Sequence, residues 1–283
     1  MSDTTQFAGI SPWHQVTWDW RAAGNFIGGG SGAGVLVIGV LTGLSPWLVA
    51  VLGCGLIGAG LFCVWLEIGK PLRALNVYRH PATSWMTREA LVALVVFGCG
   101  FGAAALDSRP LLGAAALAAV GFVGCQARIL TGAQGIPAWR EPRVVPLILA
   151  SAAVEGAGLI LPLTQPAWLG GLLLGLLGLR FVCWRRYVVR LEAGRAPGRV
   201  LVAVRALDRP FGLYGHAVPA VLAVVGIAAP LLLMAAGLLA AAGGWVFKFI
   251  LITRLAFNQG FAIPATPSRG AGSSGPGVRP GWE

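Results

Sequence analysis

Long apolar runs constrain the fold of this chain more than any other feature. Eight runs of about 20 residues follow one another, and a helix of that length spans the roughly 30 Å hydrocarbon core of a bilayer. Only 11% of the residues are charged, against about a quarter in soluble domains. We therefore predict an all-α integral membrane protein with eight transmembrane helices, at residues 22–41, 47–66, 85–106, 111–131, 144–163, 168–184, 215–234 and 238–257.

The same pattern divides the chain into three parts. Residues 1–21 form a polar N-terminal segment without the basic start and apolar core of a cleavable signal peptide. Residues 22–257 form the transmembrane domain. Its last two spans are nearly continuous, and we place the break at residues 235–237 because one straight helix would overshoot the bilayer. Residues 258–283 are rich in Pro, Gly and Ser, which predicts a flexible tail.

Basic residues fall almost entirely on one side of this predicted topology. That side holds both termini and the loops after the second, fourth and sixth spans, whereas the other side has only Arg109. The positive-inside rule makes the basic side cytoplasmic. The net charge of +11 is the ordinary consequence of such a topology, so we predict no nucleic-acid partner and expect contact with lipid headgroups.

The cysteines and histidines argue against a metal or haem site in this chain. The five cysteines form no C-x-x-C pair, and the three histidines do not face each other within spans, as a bis-His haem requires. If the protein handles electrons, it must take them from a cofactor in another chain and pass them to a diffusible carrier.

Three ionisable residues lie well inside predicted spans, where a charge costs about 2.5–3.5 kcal/mol on insertion scales. They are Glu155, Lys248 and Arg180. Glu155 either forms a structural ion pair with one of the two cations or relays protons. The candidates for a proton path are Glu155 and Lys248, together with Glu67 and Glu89 near the cytoplasmic ends of their spans.

A run of glycines opens the first span. Five glycines fall between residues 28 and 34, and small residues of this kind usually allow helices to pack closely. The alternative is that the bare backbone at Gly28 and Gly29 admits a flat quinone ring. Asn25, one turn away, would then donate a hydrogen bond to that ring.

A polar segment, residues 66–89, separates the second and third spans. Its sequence, LEIGKPLRALNVYRHPATSWMTRE, includes four basic residues, two acids and a His. A loop that only sets topology needs no Asn76, His80 or Ser-Trp pair, and arginines can clamp acidic or carbonyl groups of a partner. HPATSWMTREA also resembles IPAWREPRVV before the fifth span, in agreement with two four-helix bundles. The docking candidates from both segments are Arg73, Arg79, Trp85, Arg88, Trp139 and Arg140.

Four segments carry a family resemblance: WDWRAAGNFIGGGSGAG, IGKPLRALNVYRHPATSWMTREA, ARILTGAQGIPAWREP and GGWVFKFILITRLAFNQGFAIP. In this order they resemble the membrane anchor subunits of molybdopterin oxidoreductases, which include the DMSO reductase anchors and the NrfD-like polysulfide reductase anchors. The first two segments together look most like the membrane subunits of phenylacetyl-CoA:acceptor oxidoreductases. The resemblance implies a haem-free, eight-helix subunit of a bacterial inner membrane. Such a subunit anchors an iron–sulfur (ferredoxin-like) subunit and a molybdopterin catalytic subunit, and exchanges electrons with ubiquinone or menaquinone.

The resemblance also implies where quinone binds. In the family the pocket lies between the first helices and the start of the connection from the fourth to the fifth helix, with an Asn, a His and a Tyr as typical contacts. Asn25 matches the Asn, whereas the sequence departs from the pattern elsewhere, and His14, His80 or Tyr78 would have to substitute. The resulting quinone-binding candidates are Asn25, Gly28, Gly29, Asn76, His80 and Arg128.

Two other functions are compatible with the same sequence. A secondary transporter would use Glu155 and Lys248 as a midplane site, beside a seventh span interrupted by Pro219 and Pro230. A passive anchor would hold the same partner subunits without binding quinone.

Overall fold

The structure of this chain is a computed structural model. It describes residues 11–68, 71–194 and 196–260 and the backbone of two later strands. A 3₁₀ helix (Pro71–Arg79) follows α2, and a π-helix (Leu213–Ala217) joins α8 to α9. Strands β1 (Ile263–Thr266) and β2 (Gly275–Val278) pair antiparallel within the predicted tail, which its composition did not lead us to expect. The α-helices are α1 (Trp20–Gly39), α2 (Pro46–Trp65), α3 (Trp85–Leu106), α4 (Arg109–Gly132), α5 (Pro137–Arg140), α6 (Val144–Ile160), α7 (Ala167–Ala193), α8 (Gly198–Gly212), α9 (Val218–Gly226) and α10 (Pro230–Thr253).

Six of these helices are long and apolar enough to cross a membrane, namely α1, α2, α3, α4, α7 and α10. The structure thus confirms a helical protein of membrane-protein character, whereas the eight predicted spans are not confirmed. Helix α6 is apolar but has only 17 residues. The predicted seventh span falls within the continuous run of α8, the π-helix and α9, and α8 itself is polar along one side.

The predicted break between the last two spans is wrong. We placed it at residues 235–237, whereas α9 ends at Gly226 and α10 begins at Pro230. A proline disfavours the helical conformation for the residue before it, and Ala229 is indeed extended, with φ −139° and ψ 90°. The small residues at 235–237 retain their N–H groups and stay inside α10.

Short polar side chains begin the first four long helices. Each accepts a hydrogen bond from a backbone N–H two or three residues later, which satisfies a donor that the first turn leaves unpaired. These capping residues are Asp19 for α1, Ser45 for α2, Ser84 for α3 and Ser108 for α4.

Helix α1 lies at the centre of the bundle. It packs against α2, α4, α6 and α10. Helices α1–α4 pack with one another, as do α6–α10, and the two groups meet mainly along α1 and α6. A Cβ at Gly34 would overlap the backbone of α6, and a Cβ at Gly156 would overlap α1. The absence of side chains at both positions therefore sets the distance between the two central helices.

Several hydrogen bonds show which helix ends lie together. Arg21 at the start of α1 donates to the carbonyl of Leu66 just after α2, at 3.3 Å. The indole of Trp139 donates to Leu251 O near the end of α10, at 2.8 Å. The N-terminal segment pairs with residues 256–258, where Gln15 N donates to Ala256 O at 3.0 Å. These contacts place the start of α1, the end of α2, α5 and the end of α10 at one end of the bundle. We term it the basic end, because it corresponds to the basic side of the predicted topology.

Candidate functional site

A cavity of about 560 Å³ opens at the basic end between the starts of α1 and α3, the end of α2 and the 3₁₀ helix. This volume is typical of sites for small organic molecules. Its walls are mainly aliphatic and aromatic. Four lining residues carry a carboxylate, amide or phenol group, namely Asn25, Glu67, Tyr78 and Glu89.

Asn25 and Glu89 form a buried polar pair in the cavity wall. The Asn25 amide Nδ2 donates to Glu89 Oε1 at 3.2 Å, and both residues are only 6% exposed. Gln126 Nε2 donates to the backbone carbonyl of Asn25 at 3.1 Å. Asn25 Oδ1 and Gln126 Oε1 have no hydrogen-bond partner among the described residues. Since an unsatisfied buried acceptor costs about 1–3 kcal/mol, a donor that entered here would relieve that cost.

Local structure explains why these three side chains meet. Asn25 lies in the second turn of α1 and Glu89 in the second turn of α3, while Gln126 lies near the end of α4. All three positions are at the basic end of their helices. Gly29 of α1 provides the space for the Gln126 amide, because a Cβ there would overlap it.

The polar segment between α2 and α3 forms one wall of the cavity. Residues of its 3₁₀ helix, among them Val77 and Tyr78, line the space. The Thr87 hydroxyl of α3 donates to the Val77 carbonyl. The Arg88 guanidinium donates to Pro81 O at 2.9 Å and lies 4.2 Å from the centre of the Trp85 ring. These contacts hold the segment against α3.

Of the six predicted quinone contacts, only Asn25 lines the cavity. Asn76 and His80 are exposed on the polar segment outside it. Arg128 is also exposed, 5.6 Å from the centre of the Trp85 ring. A Cβ at Gly28 would meet the α2 backbone at Leu56 O, 2.6 Å away. The glycine run is therefore filled by neighbouring helices, as the close-packing interpretation expects.

The predicted docking residues divide into accessible and inaccessible ones. Arg79 is exposed at the end of the 3₁₀ helix, and the side chain of Arg73 lies outside the described residues. The Trp139 ring is 2% exposed and packs against Trp18, with ring centres 4.9 Å apart, so it is part of the core. Arg140 is half-buried and donates to Gln134 O at 3.0 Å and to the Gln259 side chain.

Glu67 is the cavity carboxylate nearest to solvent. It follows α2 and is partly exposed. Partial burial raises the pKa of Glu67 above its usual range, and the positive charge of Arg21 opposes that rise. In contrast, hydrogen bonds from Arg21 lower the pKa of the Asp19 carboxyl that caps α1.

A second polar cluster lies deeper in the bundle, where α1, α6 and α10 meet. Lys248 Nζ donates to Glu155 Oε2 at 2.8 Å, and both side chains are fully buried. Ser31 Oγ donates to the same oxygen at 2.7 Å and accepts a hydrogen bond from the Trp245 indole at 2.8 Å. A Cβ at Gly30 would overlap Lys248 Nζ. The ion-pair interpretation of Glu155 thus matches the geometry, with Lys248 as its direct partner.

Arg180, the third ionisable residue inside a predicted span, has separate partners. Its Nε donates to His216 Nε2 at 3.2 Å, and its Nη1 donates to Ala240 O at 3.0 Å. Its Nη2 donates to the carbonyl of Gly215, within the π-helix. This guanidinium therefore joins α7 to the π-helix and α10 through backbone carbonyls and one imidazole.

Gln126, Ser31 and Trp245 contribute to these clusters but were not predicted. The prediction from the sequence rests on ionisable side chains within the spans, and these three side chains are neutral. Gln126 could have been found, because a buried amide in an apolar helix needs partners for the same reason that a charge does.

Comparison with known protein families finds no matching family, and comparison with curated proteins finds no match either. Within the described residues, no three His, Cys, Asp or Glu side chains come together in a group that could hold a metal ion.

Proposed function

We propose that this chain is the quinone-reactive membrane subunit of a multi-subunit molybdopterin and iron–sulfur oxidoreductase, in which quinone binds in the 560 Å³ cavity. The observation that carries the proposal is the combination of a large apolar space with the buried Asn25–Glu89 pair in its wall. Apolar walls suit a flat ring and its isoprenoid tail. The unpartnered Asn25 Oδ1 suits a hydroxyl group of the reduced ring.

Each polar residue of the cavity has a distinct task in this proposal. Bound quinone supplies two-electron chemistry that takes up or releases two protons. Asn25 orients the ring through its side-chain amide. Glu89 holds a proton at its carboxylate, next to that amide. Glu67, which is partly exposed, exchanges protons with water.

The proposed complex places its partners at the basic end. An iron–sulfur subunit would contact Arg79 and neighbouring arginines of the polar segment, and a molybdopterin subunit would bind to that subunit, with phenylacetyl-CoA oxidation as the proposed reaction. We propose eight membrane crossings, the two further ones being α6 and the run of α8, the π-helix and α9. Positive charge at the basic end supports a cytoplasmic orientation in a bacterial inner membrane.

Quinone-dependent activity of the intact complex tests this proposal. Asn25→Ala and Glu89→Gln should each lower the rate of electron exchange with a short-chain quinone at least tenfold, with the complex still assembled. Asn76→Ala is the matched control. Asn76 is an exposed residue of the polar segment and does not line the cavity, so this variant should leave the rate unchanged. Unchanged rates in all three variants would support a passive anchor.

The transporter alternative has less support. Glu155 and Lys248 neutralise each other and are 0% exposed, and neither side chain lines the 560 Å³ cavity. Purification separates the two proposals. Co-purification of an iron–sulfur and a molybdenum-containing subunit supports the oxidoreductase, whereas solute accumulation by vesicles that contain this chain alone would support the transporter.

A further inference from the structure

A second, smaller depression lies at the basic end and shares no lining residue with the large cavity. It has a volume of about 260 Å³ and lies between the α4–α5 connection, the residues after α5 and the end of α7. Among the described residues that line it are two arginines, Arg140 and Arg190, and a single acid, Glu141. We propose that this depression binds the phosphate headgroup of an anionic phospholipid, independently of any quinone chemistry.

The charge balance inside the depression favours an anion. The Glu141 carboxylate is engaged by Arg143 at 3.2 Å, so it does not neutralise the lining arginines. Arg190 is exposed, and its side chain has no hydrogen-bond or ion-pair partner among the described residues. Arg140 uses Nη1 for its two hydrogen bonds, which leaves its other guanidinium nitrogens without a partner in the described part of the chain. Guanidinium groups bind phosphate oxygens with paired, charge-assisted hydrogen bonds.

The length of α7 places the depression at the level of lipid headgroups. Helix α7 has 27 residues, which corresponds to about 40 Å at 1.5 Å per residue. The hydrocarbon core is only about 30 Å thick. Trp168, at the start of α7, is 46% exposed and is of the type that lies at a membrane interface. Counted from there, the hydrocarbon ends near Tyr187, and Arg190 lies about one turn beyond it.

The surface around the depression also has the composition of a lipid contact. Three of its exposed arginines have side chains without a partner among the described residues, namely Arg186, Arg190 and Arg199. The two nearby acids are already paired, Glu192 with Arg205 and Asp208 with Arg185.

Apolar side chains are exposed beside these arginines. Val189 is 53% and Val202 is 67% exposed. A phospholipid supplies a phosphate and acyl chains together, which suits arginines that lie beside exposed apolar side chains. The volume of 260 Å³ is sufficient for a glycerophosphate headgroup and too small for most drug-sized ligands.

The test uses the purified full-length chain in detergent. Thermal unfolding is followed while short-chain phosphatidylglycerol, short-chain phosphatidylcholine or inorganic phosphate is added. We expect phosphatidylglycerol to raise the unfolding temperature at concentrations at which the other two have no effect. Arg190→Gln should weaken this binding roughly tenfold, and Arg190→Lys should restore part of it. Native mass spectrometry should detect most bound phosphatidylglycerol on the natural chain, less on Arg190→Lys and least on Arg190→Gln.

Arg209→Gln is the matched control, because Arg209 is an exposed arginine near the end of α8 and does not line the depression. It should bind phosphatidylglycerol as the natural chain does. Equal binding by Arg190→Gln and the natural chain would overturn the proposal, and so would equal stabilisation by phosphatidylcholine. If inorganic phosphate stabilises the chain as strongly as the lipid does, the depression is an anion site and not a lipid site.

Discussion

Replacing Lys248 by methionine should destabilise this chain more than replacing Lys248 and Glu155 together. The substitution removes the ammonium group that lies 2.8 Å from Glu155 Oε2. The carboxylate then keeps a single described hydrogen bond, from Ser31, while its Oε1 already lacks a partner. Because the Glu155 and Lys248 side chains are both fully buried, no water replaces the lost ammonium group of Lys248.

The magnitude follows from the burial of both groups. Removing one partner of a buried ion pair costs about 3–5 kcal/mol, whereas removing both and leaving a neutral pair is often close to neutral. Lys248→Met should therefore lower the free energy of unfolding by about 3–5 kcal/mol, and Glu155→Gln/Lys248→Met by about 1 kcal/mol or less. At roughly 2–4 °C per kcal/mol, the single substitution lowers the unfolding temperature by about 6–20 °C.

Thermal unfolding in one detergent, at a fixed scan rate, measures the difference. Arg109→Met is the matched control. It removes an exposed cation whose described hydrogen bonds are long, at 3.5 Å, so the unfolding temperature should hardly change. If the double variant is as unstable as the sum of its two single variants, Glu155 and Lys248 are not coupled and the reasoning is wrong.

Three further changes test other parts of the structure. Gly34→Val should abolish the folded, monodisperse fraction in size-exclusion chromatography, because a Cβ at Gly34 would overlap the backbone of α6. Gly55→Val should retain that fraction, because a Cβ at Gly55 would meet no atom within 4 Å. Asp19→Ala removes the cap of α1 and should lower the free energy of unfolding by about 1 kcal/mol, as followed by thermal unfolding. Asp19→Asn should keep most of the stability of the natural chain, because Asn also caps helices. The raised pKa of Glu67 means that the folded state favours its protonated form, so stability should fall as pH rises from about 4.5 through that pKa. Glu67→Gln should remove this slope from a plot of unfolding temperature against pH.

The first four spans could be predicted closely from the sequence. The predicted start of α3 at residue 85 coincides with the observed one, and the other three starts are within two residues. A short polar cap followed by an apolar run carries enough local information for this. The later half was harder, because α7 continues past its apolar part into arginines, and α8 is amphipathic. Hydropathy alone does not register either feature.

The candidate site could be predicted only in pieces. Asn25 and Glu89 were each singled out, the first as a quinone contact and the second as part of a proton path. Their hydrogen bond depends on how α1 and α3 pack, and no local pattern encodes that distance. Trp139 was predicted at a docking surface because it lies in the segment before the fifth span that resembles the polar segment. Its indole instead donates to Leu251 O inside the bundle, a contact between residues 112 positions apart.

Photo-crosslinking with a short-chain azidoquinone tests the central claim most directly. The purified chain is irradiated, digested and analysed by mass spectrometry, with unlabelled quinone as competitor and Ala90→Trp as a variant that fills the cavity. The account predicts adducts on peptides that contain Asn25, Met86 or Glu89, lost with competitor and in Ala90→Trp. Adducts spread over the lipid-facing surface, or unchanged in Ala90→Trp, would contradict a quinone site in this cavity.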